Sequence, residues 1–375
     1  KFWQVVVGCK GVAVIFNTNF TIQDKTIGHG CSPYVIAEMA CAHNGSVDKA
    51  KAIVDAAVQA GVDAIQLQLF SSSHQVPPNH QIFELLTQIE LTSLQWKKVF
   101  KHVRQHDIAL FAFTYDIPSM LLALELGIDG MKLSSADLSN PEMLEVAGKS
   151  QIPLTLGTGA STIDEISQAL DHVGDNGGDQ VVLMHGVQNF PTAVEDANLC
   201  RIRLLRRTFG LPVGYQDHTA GDDRISKVID LAALGMGACI IEKHITLDRS
   251  AKETDYQASL EPDELKCLVS QIRRVWAALG SDKDMSLTES DKKYRRFQKK
   301  NIVAIRNISA GQIIERNMVA FLRSSTPGLA PDQVKNIIGK IARVDIDSNE
   351  NISLADLQNN DPAKNIMCLD TEGQR

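Results

Sequence analysis

One unit recurs along this chain from Tyr34 to about Gly280: a short apolar run rich in β-branched residues, then a longer amphipathic stretch. The run predicts a β-strand and the stretch predicts an α-helix. Gly61 and Gly127 follow helical stretches, where a left-handed helix C-cap is expected. Eight strands are predicted, at residues 34–38, 64–69, 109–114, 130–133, 154–157, 180–185, 213–217 and 239–244.

Eight strand–helix units favour an α/β fold of the closed (β/α)8 type, a TIM barrel, which typically takes about 250 residues. An open doubly wound sheet would also need a glycine-rich dinucleotide loop after its first strand, and the sequence has none there. We therefore predict a TIM barrel over residues 31–280.

The segments on either side of the predicted barrel differ from it in composition. Residues 1–30 are an N-terminal extension in which 20–30 predicts a β-hairpin that could cover the bottom of the barrel. The polar stretch 281–300 predicts a linker, and residues 301–358 predict a small β-rich domain. The polar tail, residues 359–375, is expected to be mobile.

The charge and cysteine content of the sequence indicate which kind of partner the protein binds and in which cellular compartment it lies. A formal net charge of −7 without a sustained basic stripe disfavours nucleic acid and favours a small-molecule partner. The seven cysteines are scattered and never spaced Cys-x-x-Cys, which argues against a disulfide framework and a structural zinc site. No apolar run approaches the roughly 18 residues of a membrane helix, and Lys10 interrupts the apolar stretch 5–16, which disfavours a signal peptide. A cytoplasmic protein without a membrane segment is expected.

The active site of a TIM barrel lies where its strands end, so polar residues there are the candidates. His218 follows the seventh predicted strand and His244 ends the eighth, which makes them neighbours in a closed barrel. Two imidazoles meeting there, beside Asp217 and Glu242, predict a divalent metal site whose open positions suit Lewis-acid catalysis. The other strand-end candidates are Glu38, Gln66, Gln68, Thr114, Lys132, Ser134, Ser135, Thr158 and His185.

A phosphate site is predicted beside the fifth strand. Gly157-Thr158-Gly159 lets backbone amides approach an anion closely, and Lys132 with Ser135 adds a charge and a hydroxyl from a nearby strand. Lys132 admits a second interpretation, as the Schiff-base lysine of a metal-free aldolase, since a buried and deprotonated amine is a nucleophile. The histidine pair favours the metal-dependent interpretation.

Several segments together resemble the N-acetylneuraminate synthase family, which includes legionaminic and pseudaminic acid synthases. The resemblance spans about residues 33–357. The segments that carry it are Ile36-Ala37-Glu38, His43-Asn44-Gly45, Gly61-Val62-Asp63-Ala64, Met131-Lys132-Leu133-Ser134-Ser135, Phe190-Pro191-Thr192, Glu195-Asp196, Asp217-His218-Thr219, Glu242-Lys243-His244-Ile245-Thr246-Leu247-Asp248 and Ser259-Leu260-Glu261-Pro262. The resemblance implies that the second domain is an antifreeze-like, or SAF, domain. It also implies a homodimer in which that domain crosses to lie over the partner's active site.

The resemblance implies condensation of phosphoenolpyruvate with the open-chain form of an N-acylated amino sugar, similar to N-acetylmannosamine, with release of phosphate. It implies that His218 and His244 hold Mn2+, or Mg2+ or Co2+ in its place, to polarise the sugar aldehyde. Arg323 would reach the N-acyl group of the sugar bound to the partner. The residues expected to act in catalysis are Glu38, Lys132 and Glu242, and those expected to bind substrate are Gln66, Gln68, Ser135, Thr158, Phe190, Gln216, Asp217, Asp255 and Arg323.

The sequence departs from the family pattern at several positions. Gln66 stands where the family has a lysine that contacts phosphoenolpyruvate, so one positive charge is missing. Phe190 replaces a tyrosine, Gln216 replaces a serine, and the stretch that begins at Arg323 is one residue longer than in the family. Two alternatives therefore stay open: a non-catalytic sugar-acid-binding homologue, and a Schiff-base aldolase that uses Lys132.

Overall fold

The computed structural model of the chain describes residues 4–7, 14–281 and 284–358, and it divides into two compact units, residues 1–281 and 282–375. The predicted mobile tail, residues 359–375, lies outside the described residues. Within the described ranges, no helix is both long and apolar enough to cross a membrane.

Two antiparallel hairpins come first along the chain. The first joins β1 (Gln4–Val7) to β2 (Val14–Asn17), and the second joins β3 (Asn19–Ile22) to β4 (Lys25–Gly28). The second hairpin lies within the predicted hairpin region, residues 20–30, apart from its first residue. The first hairpin was not predicted.

A closed barrel of eight parallel strands is the centre of the first unit, as predicted. The strands pair in chain order, and the last pairs with the first, with His244 opposite Glu38. Six strands have the predicted bounds, and two begin one residue later than predicted. The strands are β5 (Tyr34–Glu38), β6 (Ala64–Leu69), β7 (Ala109–Thr114), β8 (Gly130–Leu133), β9 (Leu154–Gly157), β10 (Val181–His185), β11 (Val213–Asp217) and β12 (Ile240–His244).

Helices surround the barrel, and local sequence fixes many of their ends. Thr92 and Thr162 begin helices with capping boxes, and Gly61 ends the first helix with a φ of 79°. The helices are α1 (Val47–Ala60), α2 (Ser72–Gln75), α3 (Phe83–Ile89), α4 (Ser93–Val103), α5 (Ile117–Leu126), α6 (Pro141–Ser150), α7 (Ile163–Asp175), α8 (Cys200–Phe209), α9 (Arg224–Gly235) and α10 (Pro262–Leu279).

The barrel interior has an apolar lower half and a polar upper half. Side chains of a strand alternate between its two faces, so residues two apart share the interior. The buried polar side chains in the upper half include Glu38, Gln66, Lys132, Gln216 and Glu242. The lower half and the β3–β4 hairpin share one apolar cluster, which includes Phe20, Ile22, Ile27, Tyr34, Ile36, Phe111, Met184 and Ile240. The hairpin therefore packs against the bottom of the barrel.

The outward side chains of the strands join the surrounding helices in a larger core. Val35 and Ile241 belong to this cluster, and so do Ile53 of α1 and Val99 of α4. Along each strand, inward side chains therefore line the barrel interior, and outward side chains pack against the helices.

The second unit is small and rich in short strands. Its described residues, 284–358, form the strands β13 (Asn301–Ala304), β14 (Val319–Leu322), β15 (Ile341–Ala342) and β16 (Leu357–Gln358). Its core is an isoleucine-rich cluster that includes Ile302, Ile308, Ile314, Ile337, Ile346 and Ile352.

The predicted linker, residues 281–300, contains a helix that we did not predict, α11 (Glu289–Gln298). Thr288 and Asp291 form a capping box at its start, and Lys292 pairs with Glu289 on its surface. Every side chain of α11 is exposed. Local capping and helix-favouring charged residues therefore suffice to order part of this polar stretch.

Candidate active site

A cleft of about 290 Å³ lies at the carboxyl ends of the barrel strands. Eight residues predicted to act in catalysis, substrate binding or metal binding line it: Gln68, Lys132, Ser135, Phe190, Gln216, His218, His244 and Asp255. A second, apolar part of the lining was not predicted and comprises Phe70, Ile82, Leu85, Leu86 and Ile89. The cleft thus offers polar groups and an apolar wall to the same ligand.

A cluster of buried charges forms the floor of the site. Lys132 Nζ pairs with Glu242 Oε1, with the two side chains 4% and 0% exposed, and lies 4.6 Å from the centre of the Phe113 ring. Glu242 Oε2 is buried and has no hydrogen-bond partner among the described residues. One carboxylate oxygen therefore holds the lysine, and the other can accept a hydrogen bond from a ligand or water.

Glu38 stands beside this pair. Its Oε1 accepts a hydrogen bond from the Ala40 amide at 2.6 Å, and its Oε2 accepts one from Gln66 Nε2. Burial raises the pKa of Glu38 to about 8, against the opposing influence of Lys132. This shift brings the proton equilibrium of Glu38 close to neutral pH, where a carboxyl group can exchange a proton with a ligand.

His218 directly follows β11 and His244 ends the neighbouring strand β12, and their ring centres lie 5.2 Å apart. His218 Nδ1 lies 2.7 Å from the Val187 carbonyl, which can only accept, so this nitrogen carries the proton and Nε2 keeps a lone pair. Burial lowers the pKa of His218 to about 4 and that of His244 well below its usual value. Both rings are therefore neutral at pH 7, the state in which imidazole binds a metal.

The surroundings of His244 also fit a divalent ion. His244 Nδ1 is buried without a hydrogen-bond partner among the described residues, and it lies 4.0 Å from Asp255 Oδ2. The Phe190 ring lies 4.4 Å from that of His218 and 5.7 Å from that of His244, so the imidazoles have an apolar neighbour. Two nitrogen donors beside a carboxylate suit Mn2+, Co2+ or Zn2+ and leave positions open.

The predicted phosphate site is partly assembled. A Cβ atom at Gly157 would lie 2.8 Å from the Ser135 nitrogen, so a glycine is needed for the loop after β8 to pack this closely. Ser134, Ser135 and Gly157 all line the cleft with Lys132. Backbone, hydroxyl and ammonium groups suited to an oxyanion therefore lie together.

Gln216 and Gln68 present amide groups to the cleft in different ways. Both polar atoms of the Gln216 side chain are buried without hydrogen-bond partners among the described residues, so they are available to a ligand. Gln68 is instead held from two sides: its Nε2 donates to Tyr115 Oη at 2.6 Å, and its Oε1 accepts from Cys41 Sγ at 2.9 Å.

Asp217, predicted to bind substrate, lies on the other side of the barrel wall, which corrects that prediction. Its carboxylate accepts hydrogen bonds from Tyr215 Oη at 2.9 Å, from Thr219 Oγ1 at 2.7 Å and from Lys243 Nζ. The physical reason is alternation: Gln216 and His218 face the cleft, so the residue between them faces the helices.

Thr158 and Gln66, both predicted to bind substrate, do not line the cleft, and their substrate contacts stay predictions. Thr158 Oγ1 donates to the Met184 carbonyl at 3.0 Å, so this hydroxyl is used within the barrel wall. Gln66 is fully buried beneath the cleft, where it binds Glu38. It shares the inward face with Gln68 but lies two residues, or about 6.6 Å, deeper along the strand.

Arg323 belongs to the second unit. It follows β14, is exposed and lines an open groove of that unit together with Thr326 and Asn351. Its predicted contact with a bound sugar stays a prediction.

Tyr115 and the apolar wall are the main parts of the cleft that sequence reasoning missed. Tyr115 directly follows β7, so its strand-end position was a usable signal. The wall comes from residues 70–89, in the long connection between β6 and α4, and no periodic pattern there indicates which side chains face the cleft.

Comparison with known proteins agrees with this geometry. The chain matches the NeuB family over residues 53–284 and the SAF domain over residues 300–358. It is 30% identical over 333 residues to the N,N'-diacetyllegionaminic acid synthase of Legionella pneumophila, covering 84% of this chain and 92% of that protein. It is 26% identical to the pseudaminic acid synthase of Helicobacter pylori, covering 87% of this chain and 98% of that protein.

A solved structure also resembles the chain. The N-acetylneuraminic acid (sialic acid) synthetase of Leptospira borgpetersenii, in complex with citrate, superposes with a TM-score of 0.69 at 29% identity. The match covers 74% of this chain and 96% of that one. The resemblance predicted from sequence segments is therefore confirmed over both parts of the chain.

Proposed function

The chain belongs to the NeuB family and carries a SAF domain, and from that premise we propose that it condenses phosphoenolpyruvate with the open-chain form of an N-acylated amino sugar. The product would be a nonulosonic acid, the class to which the legionaminic and pseudaminic acids of its relatives belong. The observation that carries the proposal is the pair of neutral imidazoles, His218 and His244, in the cleft that Lys132 also lines.

The donor would bind at the floor of the cleft. Lys132, Ser134 and Ser135 supply one ammonium and two hydroxyl groups, which suit the phosphate and carboxylate oxygens of phosphoenolpyruvate. The pairing of Lys132 with Glu242 also weakens the aldolase alternative, because an ammonium held by a carboxylate lacks the lone pair that attacks a carbonyl.

The acceptor would bind nearer the mouth of the cleft. His218 and His244 would hold a divalent ion, most simply Mn2+, which when bound supplies Lewis-acid polarisation of the aldehyde oxygen. Gln68 and Asp255 would bind sugar hydroxyls, and the apolar wall with Leu85 and Ile89 would take the methyl group of an N-acyl substituent.

The reaction balances without an external oxidant or reductant. The C3 carbon of phosphoenolpyruvate would form a bond to the aldehyde carbon as the C2–C3 double bond opens, and the aldehyde oxygen would take a proton from Glu38. Water adds at C2, and Glu242 Oε2 can accept its proton. Collapse of the tetrahedral carbon would then break the C2–O bond to phosphate, which departs with the proton of the C2 hydroxyl group, and a 2-keto acid is formed.

Quaternary structure is part of the proposal. We propose a homodimer in which the SAF domain of one subunit completes the cleft of the other and brings Arg323 to the sugar. The polar stretch 281–300 between the two units supports this, since a charged and exposed connection suits a domain that leaves its own barrel.

The test is a phosphate-release assay with phosphoenolpyruvate, Mn2+ and a panel of N-acylated amino sugars, run beside a chelator control. We expect release of phosphate that needs both the sugar and the ion, with one 2-keto sugar acid formed per phosphate. Binding of sugar acids without phosphate release from any donor–acceptor pair would instead favour the non-catalytic alternative. Trapping of pyruvate on Lys132 by borohydride would favour the aldolase.

A further inference from the structure

Three side chains that could bind a metal converge on the outside of the barrel, away from the cleft. Asp55 lies on α1, His102 lies in the last turn of α4, and His106 lies three residues beyond that helix. Asp55 Oδ1 is 2.7 Å from His102 Nε2 and 3.2 Å from His106 Nε2. One ligand atom from each residue lies within 4.8 Å of the other two.

The position of this cluster separates it from the proposed chemistry. His102 and His106 precede β7, which begins at Ala109, so they lie toward the amino ends of the strands. The cleft lies at the carboxyl ends. A site here would therefore act on the fold and not on the substrate.

Local structure holds the two histidines in place. The chain keeps a helical course past the end of α4, since the Gln105 amide donates to the His102 carbonyl and the His106 amide to the Val103 carbonyl, each at 3.0 Å. Residues four apart then share one face, and the two rings lie 5.2 Å apart at 73°. Val99 and Val103 of α4 pack in the same core as Ile53 and Val54 of α1, which brings Asp55 to that face.

Hydrogen bonds within the cluster of Asp55, His102 and His106 do not satisfy all of its polar atoms. Asp55 Oδ1 is already engaged by His102 Nε2. His106 Nε2 is buried, and although it lies near the same oxygen it has no hydrogen-bond partner among the described residues. A buried nitrogen of this kind normally has a partner, and a cation placed among the three atoms would supply one.

We propose that Asp55, His102 and His106 form a second divalent metal site, of the borderline class that includes Zn2+, Co2+ and Ni2+. Two imidazole nitrogens and one carboxylate oxygen are the donors such ions prefer, and water would complete the coordination. Metal–nitrogen bonds of about 2.0–2.1 Å place tetrahedral ligands about 3.3 Å apart, so side-chain rotations suffice to fit the ion. The bound ion would link α1 to α4.

The experiment must exclude the metal site proposed in the cleft. We would therefore titrate Zn2+ into the full chain carrying His218→Ala and His244→Ala, by calorimetry, after removal of metal with a chelator. We expect one equivalent to bind, and the added change His106→Gln to weaken binding by more than about tenfold, the smallest loss seen when the partners of metal ligands are removed. His172→Gln changes a partly buried histidine of α7 outside the cluster, and this control should leave binding unchanged.

Two further measurements make the result decisive. In this experiment we call the chain that carries His218→Ala and His244→Ala the parent. Zn2+ should raise the melting temperature of the parent, because an ion that binds the folded state stabilises it. It should not raise the melting temperature of the parent with the added change His106→Gln. Asp55→Asn provides a second test if His106→Gln folds poorly. No binding by the parent at 100 μM Zn2+, a concentration set on the order of a hundred times a micromolar Kd, or equal binding by the parent and both variants, would overturn the proposal. The proposed synthase activity could still hold.

Discussion

Lys243 lies opposite Asp217 on the neighbouring strand, and the two side chains form an ion pair in which neither is exposed. Each residue of this pair stands between two residues of the cleft wall or floor: Asp217 between Gln216 and His218, and Lys243 between Glu242 and His244. The pair therefore fixes the register of β11 and β12 from behind, and with it the relative position of the two histidines.

Breaking this ion pair should be costly. Lys243→Met leaves Asp217 buried without its cation, and we expect it to lower the free energy of unfolding by about 3–5 kcal/mol. Chemical denaturation measures this. Lys149→Met is the matched control, because Lys149 and its partner Glu145 are 63% and 47% exposed, and it should change stability by less than about 0.5 kcal/mol. Adding Asp217→Asn to Lys243→Met should restore part of the loss, and equal effects of the two lysine changes would contradict our interpretation.

His43 should make stability depend on pH. Its side chain is fully buried, its Nδ1 accepts from the Gly45 amide at 3.1 Å, and burial lowers its pKa to about 4. Between about pH 6.5 and 4 the unfolded chain binds a proton there that the folded chain does not, so stability falls as the pH falls through this window.

His43→Asn keeps an acceptor for the Gly45 amide and removes the titration. We expect the plot of unfolding free energy against pH to be shallower in this variant, by up to about 1.4 kcal/mol per pH unit between pH 4.5 and 6. Urea unfolding at a series of pH values gives both plots. Parallel plots for the parent and the variant would show that His43 does not contribute, and exposed His80 supplies the control substitution His80→Asn.

Activity should require a divalent ion held by His218 and His244. Lewis-acid polarisation is worth several kcal/mol and each 1.36 kcal/mol is tenfold in rate, so His218→Ala or His244→Ala should lower kcat by about a thousandfold or more. His185→Gln is the comparison, because His185 also ends a strand but its Nε2 donates to the Ala197 carbonyl at 2.9 Å. Full activity in excess chelator would remove the ion from the mechanism.

Gln66→Lys tests the missing charge. Gln66 lies below the cleft and binds Glu38, so a lysine there would place an ammonium near Glu38 and beneath the anion site of Lys132. We expect the KM for phosphoenolpyruvate to fall by about tenfold to a hundredfold, as one charge-assisted hydrogen bond is worth on the order of 1.5–3 kcal/mol, with less effect on the sugar. Gln66→Met is the uncharged control. If the unsubstituted protein has an ordinary KM for phosphoenolpyruvate and Gln66→Lys raises that KM, another cation already binds the donor.

Removal of the second unit tests the proposed crossing. A chain that ends at Leu279 keeps the barrel, its core and its cleft. We expect it to fold and to bind phosphoenolpyruvate, with a KM for the sugar raised by at least about tenfold, the loss of one good interaction. Steady-state kinetics together with light scattering for the subunit number provide the measurement, and unchanged kinetics would contradict the crossing.

The barrel could be predicted closely because its signals are local. Each strand is a short β-branched run, and glycines such as Gly61 mark where helices end, so strand bounds were correct to one residue. The helix α11 was also predictable, since Thr288 and Asp291 have the spacing of a capping box.

The sequence predicted which residues lie at strand ends, but not which of their side chains face the cleft or how deep they lie. Alternation would have placed Asp217 outside once His218 was assigned inside, because adjacent residues of a strand cannot share a face. The depth of Gln66 depends on where the barrel floor lies, and the floor is set by the packing of Phe20 and Ile27 from a separate hairpin. Such tertiary contacts leave no periodic signal in the sequence.

The β3–β4 hairpin fills the end of the barrel that is opposite the cleft. Because its apolar side chains stop the lower end, a molecule would reach Lys132 from the carboxyl ends of the strands, where His244 and Asp255 line the same cleft. A ligand seated on the floor is then first to arrive and last to depart whenever a second ligand sits above it. The order in which the two substrates bind would thus be set by a hairpin at the opposite end of the molecule, which touches neither of them.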